Sequence, residues 1–156
     1  MTEKMSREMF DFLVFAMRGD RNAVNLCIDM LFVGHLWDDL IDGDVQRDPE
    51  DINSAFLKAL GEIPLNPVYI ANQYQLAPQM LNVSLMWLAS NELEQGTGNE
   101  RFTAFMIRNG LLSIIHYIMV LIGGIAWARE NSAAFWRTFG LTLDKYQEFV
   151  EEKKDA

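Results

Sequence analysis

The feature that most restricts this chain is the run from Ala23 to Trp37, apolar almost throughout, which closes on Asp38-Asp39-Leu-Ile-Asp42. At about 3.6 residues per helical turn, His35, Asp38, Asp39 and Asp42 fall at i, i+3, i+4 and i+7 on one narrow face. Followed backwards, that face holds Leu31, Ile28 and Val24. The opposite face carries Leu26, Met30, Val33, Trp37, Leu40 and Ile41. A helix apolar on both faces is surrounded by other elements, so helix two is expected to be central and the acids to sit at the mouth of a bundle. The acids end a helix, where the backbone dipole disfavours negative charge. Three carboxylates so close need a counter-charge. Magnesium or another hard cation would supply it. So would a basic side chain such as Arg47 or Arg108 folded over them, or a raised pKa on one acid. The plain alternative is a cluster of acids at a helix end with no ligand.

The rest of the chain reads as helices and turns. A first helix is expected from Ser6 to Arg18, stopped by Gly19, with Asp20 capping helix two to about Asp42 and Gly43 closing it. Asp44 to Asp48 is a polar loop, and Pro49 opens a third helix that Gly61 ends. From Pro67 to Gln95 the chain is helical again with a break or kink at Pro78, Met80–Glu94 forming the long fourth helix. Gly96-Thr-Gly98 stops it. A fifth helix is expected from Asn99 or Glu100 straight through to Arg129. Asn131 or Ser132 caps a short one, and Thr142 caps the last, ahead of a solvated tail at 150–156. No strand alternation, repeat or linker is visible. The predicted fold is all-α: one single-domain helical bundle of six to eight helices over residues 1–156.

Charge and composition narrow the function. With 22 acidic residues against 13 basic ones, the net charge is −9, which argues against nucleic acid as a partner. The lone Cys27 excludes an internal disulfide and fits the reducing cytoplasm. The charged residues Met1–Glu8 show no secretory signal. Gly110 to Ala128 carries no charge and meets the length of a membrane span, but Ser113, His116, Tyr117 and Gly123-Gly124 inside it favour a buried helix, and a membrane is not expected. Two further polar groups stand in apolar surroundings. Glu92 shares a face with Leu81, Leu85, Leu88 and Ala89, and is either a ligand from a facing helix or a solvated helix end. Asn109, Ser113 and His116 form a stripe at i, i+4 and i+7 that would face the acid patch; a lone core histidine held by hydrogen bonds is the alternative. Di-iron Glu-x-x-His pairs, zinc spacings, phosphate loops and dinucleotide fingerprints are missing from the sequence, and Cys27 in mid-helix is a poor nucleophile.

Asp38-Asp39-Leu-Ile-Asp42-Gly-Asp-Val-Gln-Arg47 resembles the first aspartate-rich motif of the isoprenoid synthases, the all-helical polyprenyl diphosphate synthases and class I terpene cyclases. The motif is Asp-Asp-x-x-Asp, followed in the synthases by a pair of arginines; Arg47 stands at the first of these and Asp48 at the second. The resemblance implies that Asp38, Asp39 and Asp42 hold magnesium and that Arg47 helps neutralise a substrate diphosphate. Beside it, the helix-face reading makes His35, Glu92, Asn109 and His116 the further candidates to contact the ligand. The function expected first is therefore metal-dependent binding, with or without turnover, of a phosphorylated or diphosphate ligand. Two alternatives stand beside it. One is a non-enzymatic helical interaction module forming a homo-oligomer. The other is a small all-helical magnesium-dependent nucleotide pyrophosphatase, for which only Asp39-x-x-Asp42 has the spacing.

Overall fold

Asp20 begins the central helix as its spacing predicts. Its carboxylate accepts from the Ala23 N–H at 3.0 Å, satisfying one of the donors a helix start leaves open. Helix α2 then runs Arg21–Asp42 and stops at Gly43, which takes the left-handed φ of 69°. That conformation is open to glycine at little cost. A computed structural model describes residues 5–43 and 45–152; Asp44 and positions 153–156 of the expected tail lie outside it. Among the described residues the protein is all-α with no strand, a single compact helical body. The elements are α1 (Arg7–Ala16), α2, α3 (Pro49–Leu57), α4 (Ile63–Leu65), α5 (Pro67–Leu93), α6 (Gly98–Arg108), α7 (Leu111–Phe139) and α8 (Leu143–Glu152).

Helix α2 packs against α1, α3, α4, α5 and α7. Leu26, Cys27 and Met30 on it meet Leu13 and Met17 of the first helical segment, Leu76 of α5, and Ile114, Ile115, Ile118 and Phe135 of α7 in one core. Burial pushes the Cys27 thiol up, which keeps it protonated and unreactive. The expectation of apolar surroundings holds for most of α2 and lapses at its end, where Leu40 and Ile41 are exposed. Asp29, the acid within the apolar run, is met by Lys58 at 2.6 Å.

Several boundaries differ from the sequence reading. Gly61 does not end the third helix: the chain passes through a wider turn over Lys58–Glu62 into α4. Helix α5 continues through Pro78, and its non-helical residue is Asn72 (φ −127°, ψ 17°). The break therefore lies six residues before the proline, two residues ahead of the Tyr74 carbonyl that its ring crowds. The Asn72 side-chain amide donates to the Val68 carbonyl at 2.9 Å, the acceptor its own backbone N–H would take in an unbroken helix. Asn66 starts α5: its side chain accepts from the Val68 N–H and donates to the Asn22 carbonyl, both at 2.9 Å, tying α5 to α2. Glu151 and Glu152, expected in the tail, belong to α8.

The expected fifth helix is cut twice. It breaks at Asn109-Gly110, and α7 then turns back on itself at Gly124 (φ 80°, ψ 172°). The reversal is fixed by contacts across it. His116 lies 2.8 Å from Ser132 and stacks on Trp136 at 5.7 Å, whereas a straight helix would hold residues 116 and 132 about 24 Å apart. A Cβ on Gly123 would lie 2.0 Å from the Trp127 side chain. Trp127 packs on Phe15 and donates its indole N–H to the Ala16 carbonyl at 3.0 Å, filling an acceptor left open at the end of α1. Asn131 and Ser132 cap nothing: each bonds a carbonyl one turn earlier in an unbroken arm. The charge-free run is long and apolar enough to cross a membrane by length and composition, with a mean hydropathy of 2.0. Its first arm, Leu111 to Gly123, spans about 20 Å at about 1.5 Å per residue, less than the roughly 30 Å of a bilayer core.

The combination of φ and ψ at Gly124 is one that side-chain-bearing residues adopt only at a cost of about 1–3 kcal/mol, and a Cβ there would meet nothing within 4 Å. Gly124→Ala is therefore expected to lower stability by that amount through backbone strain alone. Chemical denaturation of the two proteins measures it, and an unchanged midpoint would show that the reversal is relaxed.

Candidate functional site

The acid patch forms where the C-terminal turn of α2 meets the ends of α5 and α6. Arg108, the last residue of α6, lies in its centre. Its Nη2 donates to Asp38 Oδ1 and to Asp42 Oδ2, each at 2.6 Å, its Nε to Asp38 Oδ1 at 2.9 Å, and its Nη1 to Glu94 Oε2 at 2.5 Å. The Trp87 indole N–H reaches Asp38 Oδ1 at 3.0 Å, and Arg108 lies over the Trp87 ring. Trp87 in turn packs on Trp37 at 4.4 Å. Arg47 takes the remaining acid. Its Nε donates to Asp39 Oδ2 at 2.7 Å, its Nη2 bonds the same oxygen, and its Nη1 stands 3.7 Å from Asp51.

Burial would lower the Arg108 pKa, but Asp38 and then Asp42 outweigh it and raise the value. The guanidinium stays charged with its side chain only 10% exposed, beside a Glu94 side chain 6% exposed. Of the counter-charges the aspartates need, the geometry supplies the two arginines. Among the described residues no three His, Cys, Asp or Glu side chains come together as a metal-ligand set. With a guanidinium between Asp38 and Asp42 and another on Asp39, this arrangement does not fit a magnesium site. An open groove of about 520 Å³ lies elsewhere on α2, lined by Asn25, Asp29, Leu57, Gly61, Glu62, Leu65 and Asn66.

Of the other candidates, Asn109, Ser113 and His116 bond to groups outside the patch, and Glu92 faces outward. His35 is exposed on α2. Asn109 follows α6 rather than sharing a helix with His116, and its amide bonds back to the Phe105 carbonyl at 3.0 Å. Ser113 bonds the Gly110 carbonyl at 2.5 Å. His116 is half-buried inside the α7 hairpin, held by Ser132 between Phe135 and Trp136. The expected polar stripe is thus split by the break at Asn109-Gly110, and each group is met locally. Glu92 is exposed while Glu94 is buried. Two residues apart on a helix means about 200°, so Glu94 turns inward to Arg108 and Glu92 turns outward. Of the two readings of Glu92, the solvated helix end is the one its exposure matches, and Glu94 is the glutamate that enters the cluster. The burial of Trp87 and Ser90 on α5 shows which side faces in.

A second surface comes from the outward side of α5. Tyr74, Leu81, Leu85 and Leu88 are 89%, 63%, 55% and 53% exposed. With Ala77, also exposed, they fall within about 80° of one another around the helix axis. Leu76, Trp87 and Ser90 fill the opposite, buried side. From Ile63 to Asn91 the chain has no charged side chain. On a body of net charge −9, a charge-free apolar stripe of this length is a surface with a purpose or an aggregation hazard.

No known family model, curated protein or solved structure is significantly similar to this chain.

Removing Arg108 takes the shared guanidinium away from Asp38, Asp42 and Glu94. Arg108→Met is expected to destabilise by an amount near the lower end of about 3–5 kcal/mol, and adding Glu94→Gln should return part of it. Asp38→Asn with Asp39→Asn should also destabilise, since it strips partners from both arginines. Denaturation midpoints decide, and a neutral Arg108→Met would mean the cluster is solvated. The pH dependence has a separate source. Burial holds the His116 pKa below its ordinary value, so the fold prefers the neutral ring. Its contribution is whole above about pH 6.5, the unfolded value, and is lost as pH falls from there through the folded pKa. His116→Gln should flatten the melting-temperature profile just below pH 6.5 relative to wild type.

Proposed function

We propose that this protein is a self-associating helical module, with the outward side of α5 as its contact surface. The observation that carries the reading is the exposed stripe of Tyr74, Leu81, Leu85 and Leu88 on a helix already buried along its other side. An element apolar on both sides is one that expects a second neighbour. The chain spends no charge there although 22% of its residues are charged. The partner is another copy of the same chain, and the setting is the cytoplasm, which the buried thiol of Cys27 fits.

The diphosphate-binding reading draws its support from the aspartate-rich motif alone. The arginines on Asp38, Asp39 and Asp42 weigh against it, because an ion would have to displace them. The pyrophosphatase alternative needs the same displacement. Under the assembly reading the acid patch is an internal fastening of α2, α5 and α6.

Two measurements test the proposal. Sedimentation equilibrium should show wild type gaining mass with concentration. Leu81→Glu with Leu88→Glu should raise the dissociation constant at least about tenfold, or about 1.4 kcal/mol, and should melt no lower than wild type does at concentrations where wild type is monomeric. A wild type that stays monomeric to about 100 µM, a concentration at which a micromolar dimer is nearly complete, would sink the proposal. Thermal melts with magnesium and diphosphate should show no shift. A rise in melting temperature that disappears in Asp38→Asn/Asp39→Asn would restore the metal reading, because preferential binding to the folded state must stabilise it.

A further inference from the structure

The spacing of the α5 stripe carries more than the fact of association. Tyr74, Ala77, Leu81, Leu85 and Leu88 follow one another at intervals of three, four, four and three residues. The pattern is symmetric about Leu81. Read in either direction, the same steps lead from the centre to the ends. A two-fold interface uses one patch twice and requires it to be self-complementary, and a stripe that reads alike in both directions meets that requirement when two helices lie antiparallel.

We infer that two copies pair antiparallel along α5, with the two-fold axis passing through Leu81; the inference rests on the self-association proposed above. Leu81 then meets its own equivalent. Leu85 lies over the partner's Ala77, so a large side chain meets a small one, which is how facing layers interdigitate. Leu88 lies against the partner's Tyr74. In the parallel alternative Ala77 faces Ala77 and leaves a gap beside a layer of paired leucines.

Electrostatics chooses the same arrangement. Glu92 follows the stripe and is exposed. Parallel helices would set the two Glu92 carboxylates side by side, with both dipole-negative ends together. Antiparallel pairing places each about 16 Å from the axis at about 1.5 Å per residue. The two carboxylates are then about 33 Å apart, beyond three Debye lengths of about 8–10 Å.

Area supports a dimer of moderate strength. The four large residues leave about two and a half whole side chains uncovered, about 500 Å² at roughly 200 Å² for a large side chain. Counted on both partners that is about 1,000 Å² in all, at the low end of the range of specific interfaces.

The test is directed disulfide formation in the full chain. Cys27 is buried and does not compete. Ala77→Cys and Leu85→Cys proteins, one carrying a mass tag, are mixed and mildly oxidised after their melts confirm folding. Antiparallel pairing predicts that the mixed 77–85 disulfide is the main product. It predicts no 77–77 bond, because those positions lie about 12 Å apart along the axis against a Cα limit of about 7 Å. Like-with-like disulfides without the mixed one would overturn the inference in favour of parallel pairing. A concentration-dependent dimer with no crosslink would overturn it in favour of another face. A chain that sediments as a monomer throughout would overturn the self-association reading itself, and the inference with it.

Discussion

Arg108 is the fastening on which the far end of the bundle depends. One guanidinium, its side chain 10% exposed, is shared by Asp38 and Asp42 of α2 and by Glu94 at the end of α5. It belongs to α6, so a single side chain joins that helix both to the preceding α5 and to α2, far away in sequence. Its five donors in a planar fork suit this role as a lysine's point charge would not. The neighbouring Arg47–Asp39 pair secures the start of α3 in the same way. Such a cluster costs desolvation that its attraction only partly returns. What it gives in exchange is register, because helices that slide on one another lose several charge-assisted bonds at once.

The legible part of the fold is the part written in local chemistry. Asp20, Gly43, Pro49 and Thr142 are caps, starts and stops whose effect is decided within a few residues, and they stand where their types predict. The buried run of α2 was readable for the same reason. What escaped was decided by contacts distant in sequence. Nothing adjacent to Gly123-Gly124 distinguishes a weak spot in a long helix from a complete reversal; the difference lies in Trp127 reaching Ala16 and His116 reaching Ser132. Likewise the demand of the aspartates for positive charge was plain from their crowding, and Arg47 and Arg108 were named as ways to meet it. The sequence alone did not choose between an arginine and an ion. The choice turned on whether α6 ended close enough for its last residue to arrive.

The two glutamates at the end of α5 show how narrow such a decision is. Glu92 and Glu94 are chemically identical and two residues apart, yet one is solvated and the other is buried against a guanidinium. Rotation about the helix separates them. The same rotation leaves the outward side of α5 to the leucines and Tyr74. The inward fastening and the outward stripe are therefore set by one quantity, the phase of α5, which Asn66 anchors at the other end through its two bonds to Val68 and Asn22.

The reversal at Gly124 also bears on how the chain comes together. Folded back, the two arms of α7 make a helical hairpin whose closing loop is a single residue. The contacts of His116 with Ser132 and Trp136 join positions close in sequence. The loop-closure entropy of such a unit is small, and helical units rich in local contacts assemble fast. It holds half of the large, fully buried aliphatic side chains of the core, Ile114, Ile115, Ile118 and Met119. A chain whose heaviest apolar segment can pair with itself before the distant helices arrive exposes that segment to other molecules for less time. For a protein with this much hydrophobic surface, the position of one glycine is thus also a matter of solubility during synthesis.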